Sequence, residues 1–253
     1  MHAETGIDHT TLYRAEHAKG TPQVRTLTAL LDLYGVKDAP RRARFLALIK
    51  PSGAPAWLHA YDDLTDAYND YVALEGDAAT ISNYESLFVP GLLQTEEYAT
   101  AAIQGALPAA TAKHVRRLVE VRMRRQAALS ANDPLRLTTV VDEAAIRRVV
   151  GGPGVMAAQL RRLIEAPDHI TLRVIPYGAG AHPGMSGSFA VMAFRDPDLS
   201  PVVYIDSMAG DFLLENGDAI ARYTTLFGQV EAVALSRKDS VRLVADAAKR
   251  STQ

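Results

Sequence analysis

The residues best suited to chemistry in this chain lie in a glycine-rich loop, residues 177–187, which reads Tyr-Gly-Ala-Gly-Ala-His-Pro-Gly-Met-Ser-Gly. Its four glycines let the backbone approach a ligand closely. Histidine is the only residue type in this loop whose ordinary pKa lies near neutrality, and the imidazole of His182 can hydrogen-bond a carboxylate, a hydroxyl or a ketone. Two interpretations stay open: His182 binds a ligand, or it caps a neighbouring carbonyl and stabilises the loop. The loop is neither a P-loop nor a dinucleotide fingerprint, since no Gly-Lys-Ser/Thr follows and a strand, not a helix, comes next.

A carboxylate inside an apolar segment is the second candidate. Glu85 follows Tyr84 in a segment that reads as a strand, and a carboxylate buried there needs an arginine partner or acquires acid–base properties. Arg122, Arg125 and Arg147 are the possible partners. Gln94 offers an amide either to a ligand or to the loop backbone. The predicted ligand-binding residues are Tyr84, Glu85, Gln94, Tyr177, His182 and Ser186, and the candidates for catalysis are Glu85 and His182.

Other residue types narrow the chemistry further. The chain has no cysteine, which excludes disulfides, thiolate catalysis and zinc sites built on sulfur. His59, His114 and His169 are dispersed without metal-binding spacing, so no metal site and no cofactor are predicted. An aromatic group, Trp57, Tyr61, Tyr68 and Tyr71, forms either the wall of a cavity or the buried face of a helix.

A single segment contains the strand, the turn and the helix start that position Glu85 and Gln94. Residues 80–89 read as a strand, Pro90-Gly91 as a turn, and Thr95 as the N-cap of a helix whose first turn carries Glu96 and Glu97. Asp142-Glu143 is likewise interpreted as the cap of a short helix.

The remaining pattern predicts an α+β domain with a mixed or antiparallel sheet flanked by helices. Predicted helices cover 24–34, 56–74, 95–104, 109–131, 143–148, 155–165, 218–234 and 236–249. Predicted strands cover 80–89, 135–141, 169–175, 188–195, 202–206 and 211–215, the last three antiparallel because short connections join them.

Composition and charge suggest two domains in a soluble protein. The 253 residues are 48% hydrophobic and 22% charged, without an apolar run long enough to cross a bilayer and without a signal peptide, so a cytoplasmic protein with no membrane contact is expected. Residues 1–50 contain eight basic and five acidic residues, against 19 and 24 in the remainder. We therefore predict a small domain at 1–50, a linker at 51–55 and a larger domain at 56–253. The excess of basic residues in the small domain suits binding to nucleic acid.

Five segments in order resemble a family of actinobacterial regulators, among them WhiJ-like developmental regulators, which join an Xre-type helix-turn-helix to a C-terminal domain of unassigned function. These segments are 84–98, Arg-Met-Arg-Arg-Gln at 122–126, Asp-Glu-Ala-Ala-Ile-Arg-Arg at 142–148, residues 178–184 and Gly-Ser-Phe at 187–189. The resemblance implies a helix-turn-helix at 1–50 whose first helix is missing, because family members carry a further helix ahead of His2. It also implies that the second helix, about Thr10 to Ala18, reads DNA.

A helix-turn-helix lays the start of its second helix in the major groove. On that geometry the expected DNA-binding residues are His9, Thr10, Thr11, Tyr13, Arg14, Lys19 and Arg25, the last three basic and suited to phosphates or base edges.

Two functional hypotheses result. The first is a DNA-binding transcriptional regulator whose large domain senses a small molecule or a small partner protein, and whose homodimer matches a palindromic operator. The second is an enzyme repurposed from this regulator family, which performs acid–base cyclisation or isomerisation of a natural-product intermediate with Glu85 or His182 and a tyrosine.

Overall fold

The computed structural model describes residues 24–42, 45, 57–58, 61, 64–197, 199–207 and 210–251. The chain divides into two compact units, Met1–Pro55 and Ala56–Gln253. In the first unit, α1 spans Val24–Leu33 and ends before Gly35, whose φ of +67° suits a helix C-terminus. The predicted DNA-binding residues from His9 to Lys19 lie outside the described part, and so does the side chain of Arg25.

A mixed sheet forms the centre of the second unit. Its order is β3-β2-β1-β4-β5-β6, with β1, β2 and β3 parallel to one another and β4, β5 and β6 joined antiparallel, β4 to β1. The strands are β1 Ala78–Glu85, β2 Arg136–Asp142, β3 Ile170–Ile175, β4 Phe189–Phe194, β5 Val202–Ser207 and β6 Gly210–Leu214. The predicted α+β class is confirmed, including the antiparallel pairing of the last three strands.

Helices precede, connect and follow the strands. They are α2 Asp66–Asp77, α3 Glu96–Ala106, α4 Ala112–Arg125, α5 Glu143–Arg147, α6 Pro153–Ile164, α7 Gly217–Val233 and α8 Arg237–Arg250. Most begin at a short polar residue whose side chain accepts a hydrogen bond from a backbone N–H of the first turn. These N-caps are Thr65, Thr95, Thr111, Asp142, Asn216 and Ser236.

The two faces of the sheet are covered differently. On one face, Ile81, Leu137 and Val141 pack in a large core with side chains of α3, α6 and α8. On the other, Tyr84 and Val140 pack with Phe227 and Val230 of α7. Because strand residues alternate between faces, the neighbours Tyr84 and Glu85 point into different environments.

Two of the boundaries that differ from the sequence prediction have local causes. Helix α2 begins at Asp66, where Thr65 caps it, whereas the helix predicted from the sequence began at residue 56. Strand β1 ends at Glu85, four residues earlier than predicted, since the N–H of Ser86 donates to the Ser188 hydroxyl at 3.1 Å and the chain turns there.

Candidate functional site

Polar residues collect where the parallel strands end. Strands β1, β2 and β3 end at Glu85, Asp142 and Ile175, and their parallel direction places all three at one edge of the sheet. The glycine-rich loop leaves β3 at this same edge and returns to β4. The carboxyl ends of parallel strands are where open sheets with crossover helices commonly bind ligands.

Two acidic side chains fasten the loop to this edge. The Tyr177 N–H donates to Glu143 Oε2 at 2.8 Å, and His182 Nε2 lies 3.3 Å from Asp142 Oδ2. Asp142 also caps α5 as predicted, because its Oδ1 accepts from the Ala144 N–H at 2.7 Å. Each carboxylate therefore has one oxygen for its own helix and one for the loop, since Glu143 Oε1 accepts from Arg147.

His182 is enclosed by these contacts. Its side chain is 4% exposed, and its ring meets Tyr84 edge-on with 6.0 Å between ring centroids. When Nε2 carries the proton it donates to Asp142, which leaves Nδ1 as an acceptor. Nδ1 is buried and has no hydrogen-bond partner among the described residues. The arrangement is a His–Asp pair with one acceptor unused by the protein.

Glycine is required in this loop where it touches Tyr84. A Cβ on Gly184 would lie 2.5 Å from Cζ of the Tyr84 ring. Burial, with the charges of Asp142 and Glu85 as smaller causes, raises the pKa of Tyr84 well above its ordinary value. Tyr84 is thus a neutral core residue whose ring supports the loop.

Glu85 lies on the other face of β1. Its Oε1 accepts from Asn83 Nδ2 at the long distance of 3.4 Å, and Asn83 in turn accepts from the Thr139 hydroxyl. Burial raises the pKa of Glu85 to about 7, the charge of Asp206 acts in the same direction, and hydrogen bonds from Ser188 and Asn83 oppose it. At neutral pH this carboxyl group is therefore divided between its two protonation states.

The arginines predicted as partners of Glu85 are engaged elsewhere. Arg125 pairs with Glu75 at 2.7 Å, and Arg147 pairs with Glu143 at 2.8 Å. Arg122 donates to Gln94 Oε1 at 2.9 Å and acts on Glu85 only through its charge, which lowers the pKa slightly. Among the described residues, Glu85 forms no ion pair.

The remaining predicted ligand residues, Gln94, Tyr177 and Ser186, do not lie together in one site. Both ends of the Gln94 amide bind within the protein, Nε2 to the Val89 carbonyl at 2.6 Å and Oε1 to Arg122. Tyr177 and Ser186 are exposed on the loop. The structure thus brings Tyr84 and His182 together on one face of β1 and places Glu85 and Gln94 on the opposite side.

The aromatic group divides into two pairs, and each lies against an arginine of α4. Arg125 lies over the rings of Tyr68 and Tyr71, at 5.7 and 4.8 Å from their centroids. Arg124 lies over Trp57 and Tyr61 at 5.5 and 5.7 Å. Tyr71 also lines the small cavity described below, and both pairs attach the start of the large unit to α4.

Two openings in the structure differ in whether predicted ligand residues line them. The larger, about 460 Å³, is a groove between α3 and α4 lined by Val115, Val119, Glu96, Arg116 and Glu120 among others, and it contains none of the predicted ligand residues. Val115 and Val119 of this groove are almost fully buried. A smaller cavity, about 30 Å³, is lined by Glu85, which is a candidate for both ligand binding and acid–base catalysis.

The contacts of two groups of residues were not predicted from the sequence. Asp142 and Glu143 were interpreted only as a helix cap, although acidic residues at the end of a strand are a signal for the site. The Glu75–Arg125 pair gave no local signal, because its members are 50 residues apart.

Substitution of Glu85 should change the pH dependence of stability. An unfolded glutamate titrates near 4.5, whereas the pKa of native Glu85 is about 7, so its favourable contribution is complete below 4.5 and is lost as the pH rises through 7. Glu85→Gln cannot ionise, and we expect it to exceed the wild type in free energy of unfolding by about 1 to 3 kcal/mol at pH 8 and to match it at pH 4. Urea denaturation at both pH values measures this.

The exposed Glu215→Gln variant is the control and should follow the wild type at both pH values. A stability difference between Glu85→Gln and the wild type that does not vary with pH would contradict the burial of an ionisable Glu85.

Neither metal-binding clusters nor membrane spans were found in the described part of the chain. No group of three or more His, Cys, Asp or Glu residues is arranged there for a metal ion. No helix in that part has the length and apolar character that a transmembrane span requires.

Comparison with known proteins identifies a family. No curated protein and no solved structure matches the chain. A family model described as a domain of unknown function, DUF5753, matches residues 68–246, from α2 into α8, and so includes every strand and the whole candidate site. The chain belongs to the DUF5753 family.

Proposed function

We propose that this protein is a transcriptional regulator in which the Met1–Pro55 unit binds an operator and the DUF5753 domain responds to a small molecule or a small partner protein. The observation that carries the sensing part is the edge at Glu85, Asp142 and His182. His182 Nδ1 there is a buried acceptor without a hydrogen-bond partner among the described residues, whereas Glu85 is partly exposed and accepts a long hydrogen bond from Asn83. Unsatisfied buried polar groups are costly, and a ligand that satisfies them recovers that energy.

The DNA-binding part of the proposal rests on sequence. The helix-turn-helix resemblance and the excess of basic residues at 1–50 both support contact with nucleic acid. A homodimer with one operator half-site per subunit is the expected assembly, because paired helix-turn-helix units read palindromic sites.

Operator binding should be weak and dependent on salt. Few basic residues adjoin the second helix, so only a few phosphate contacts contribute to the affinity. We expect the full chain to bind its own upstream DNA in preference to random DNA, and Arg14→Ala to weaken that binding by about 1 to 3 kcal/mol. Fluorescence anisotropy at two salt concentrations, with Thr11→Ala as a second variant, measures both effects.

Lys249→Ala, on the last helix of the large unit, is the matched loss of one positive charge. Equal affinity for upstream and random DNA, or equal weakening by Arg14→Ala and Lys249→Ala, would remove the regulator from consideration.

One observation favours a second function, an acid–base enzyme. A carboxyl group with a pKa of about 7 is suited to give and take protons at neutral pH. The substrate would be a natural-product intermediate that cyclises or isomerises. Glu85 and His182 lie on opposite sides of β1, so one of them, not both, would contact the reacting atoms.

Mass spectrometry of the protein incubated with metabolites of the producing cell distinguishes the two functions. Turnover abolished by Glu85→Gln or by His182→Ala would establish an enzyme, whereas binding without conversion would support the sensor.

A further inference from the structure

Exposed apolar side chains surround the carboxyl edge of the parallel strands. Leu87 and Phe88 follow β1, while Tyr177 and Met185 belong to the loop between β3 and β4. These four side chains are between 36% and 68% exposed. Single exposed apolar residues are ordinary on a protein surface, whereas a group of them on neighbouring loops is typical of an interaction surface.

The two segments that carry these side chains adjoin. Strands β1 and β4 are antiparallel neighbours, so the segment that leaves β1 and the loop that enters β4 meet at one edge. The Ser86 N–H donates to Ser188 Oγ at 3.1 Å, and the two hydroxyl oxygens lie 3.2 Å apart. Gly184, next to Met185 in the chain, packs against the Tyr84 ring. The four apolar side chains therefore lie at one edge of the sheet, and we call the surface they form the apolar edge.

The segments of the apolar edge have no ionised side chains of their own. Residues 86–95 and 174–194 contain no Asp, Glu, Lys or Arg, and the His182 side chain in the second segment is buried. By contrast, residues 51–253 as a whole contain 19 basic and 24 acidic residues, a net charge of −5. Two copies of the chain therefore repel each other on average, and they avoid that repulsion where uncharged surfaces meet.

The free edge of β6 is less suited to a second copy. Phe212 is exposed there, but the β5–β6 hairpin and the residue after it also carry Asp206, Asp211 and Glu215. A twofold pairing of β6 with itself would bring these carboxylates towards their counterparts, and like charges on neighbouring strands are destabilising. The other outer strand, β3, is covered, because the segment after α7 donates a hydrogen bond to its Val174 carbonyl.

We infer that the apolar edge is the surface through which two copies of this chain form a dimer about a twofold axis. A twofold interface brings the same surface of both copies together, so an uncharged surface meets an uncharged one. Aromatic residues and methionine are enriched at the centres of protein interfaces, and charged residues are depleted there. The inference rests on the proposed regulator, in which two helix-turn-helix units read one palindromic operator, and it names the surface that joins them.

The oligomeric state of the full chain tests the inference. By sedimentation velocity over a concentration series we expect a dimer of twice the chain mass of 27.4 kDa. Leu87→Glu/Met185→Glu should raise the dissociation constant at least about 100-fold, because it places four carboxylates in an interface that has no partners for them. Raising the NaCl concentration from about 0.1 to 1 M should not dissociate the wild-type dimer, because the contact is apolar.

Leu107→Glu/Leu199→Glu is the matched control, because it adds the same charge at two exposed leucines away from the apolar edge. Leu107 ends α3, and Leu199 lies in the connection from β4 to β5 at the opposite edge of the sheet. The control should leave the dissociation constant within about twofold of the wild-type value. If Leu87→Glu/Met185→Glu loses its far-ultraviolet circular dichroism spectrum, Met185→Glu alone decides, since Met185 is the most exposed of the four side chains.

Three results would overturn the inference: a wild type that stays monomeric at about 100 μM, a dimer that the apolar-edge variant does not weaken, or equal weakening by that variant and the control. Operator binding measured on the same preparation separates this inference from the regulator proposal. Specific operator binding by a monomer refutes only the apolar-edge dimer, and an apolar-edge dimer without operator recognition refutes only the regulator.

Discussion

Arg125→Met is expected to destabilise the protein by about 3 to 5 kcal/mol, because it leaves Glu75 buried without its partner. The two side chains are only 5% and 2% exposed, so water cannot replace the lost hydrogen bonds. The loss extends to the hydroxyls of Tyr68 and Tyr71, which accept from the same guanidinium. Urea denaturation followed by far-ultraviolet circular dichroism measures the change.

The double variant Glu75→Leu/Arg125→Met tests the cause. It removes both charges at once, and we expect it to be more stable than Arg125→Met alone, because no uncompensated ion remains in the core. Arg242→Ala is the matched control, since it breaks an exposed pair with Asp239 on α8 and should cost less than about 1 kcal/mol. A loss in Arg125→Met no larger than in Arg242→Ala would show that the buried pair does not stabilise the fold.

Gly184→Ala is expected to cost about 1 to 3 kcal/mol, because the added methyl group meets the Tyr84 ring in a filled core. The ring is 1% exposed and packs against Phe189 and α7, so it cannot move aside without disturbing that cluster. Displacement of the loop would also weaken the contact of His182 with Asp142. Thermal and urea denaturation detect the loss of stability.

Gly178→Ala is the control within the same loop. A Cβ at Gly178 has no neighbour within 4 Å, so its replacement should change the free energy of unfolding by less than about 0.5 kcal/mol. A smaller cost of Gly184→Ala in a Tyr84→Leu background would identify the ring as the obstacle. If the two glycine variants proved equally stable, the close approach of the loop to Tyr84 would be wrong.

The amino-acid sequence alone predicted most of the helices and strands and several of the helix caps. Thr95 and Asp142 were predicted as helix caps and both are confirmed, since a cap depends on atoms within three residues along the chain. The α+β class was also predictable, because hydrophobic periodicity and connection length are local properties. The placement of Tyr84 and Glu85 on opposite faces of β1 could also be predicted from the sequence, since adjacent strand residues point to opposite faces.

Only the tertiary structure decided which of these residues meet. The pairing of Arg125 with Glu75, and not with Glu85, depends on how α2 and α4 approach the sheet, and the two partners are 50 residues apart. The contact of His182 with Asp142 likewise requires β2 and β3 to be parallel neighbours, so that a loop after one reaches the end of the other. The charge and size of the residues in the sequence limit the possible partners of a buried group. The packing of distant elements then selects among these partners, because burial strengthens interactions between groups in contact and makes unpaired charges costly.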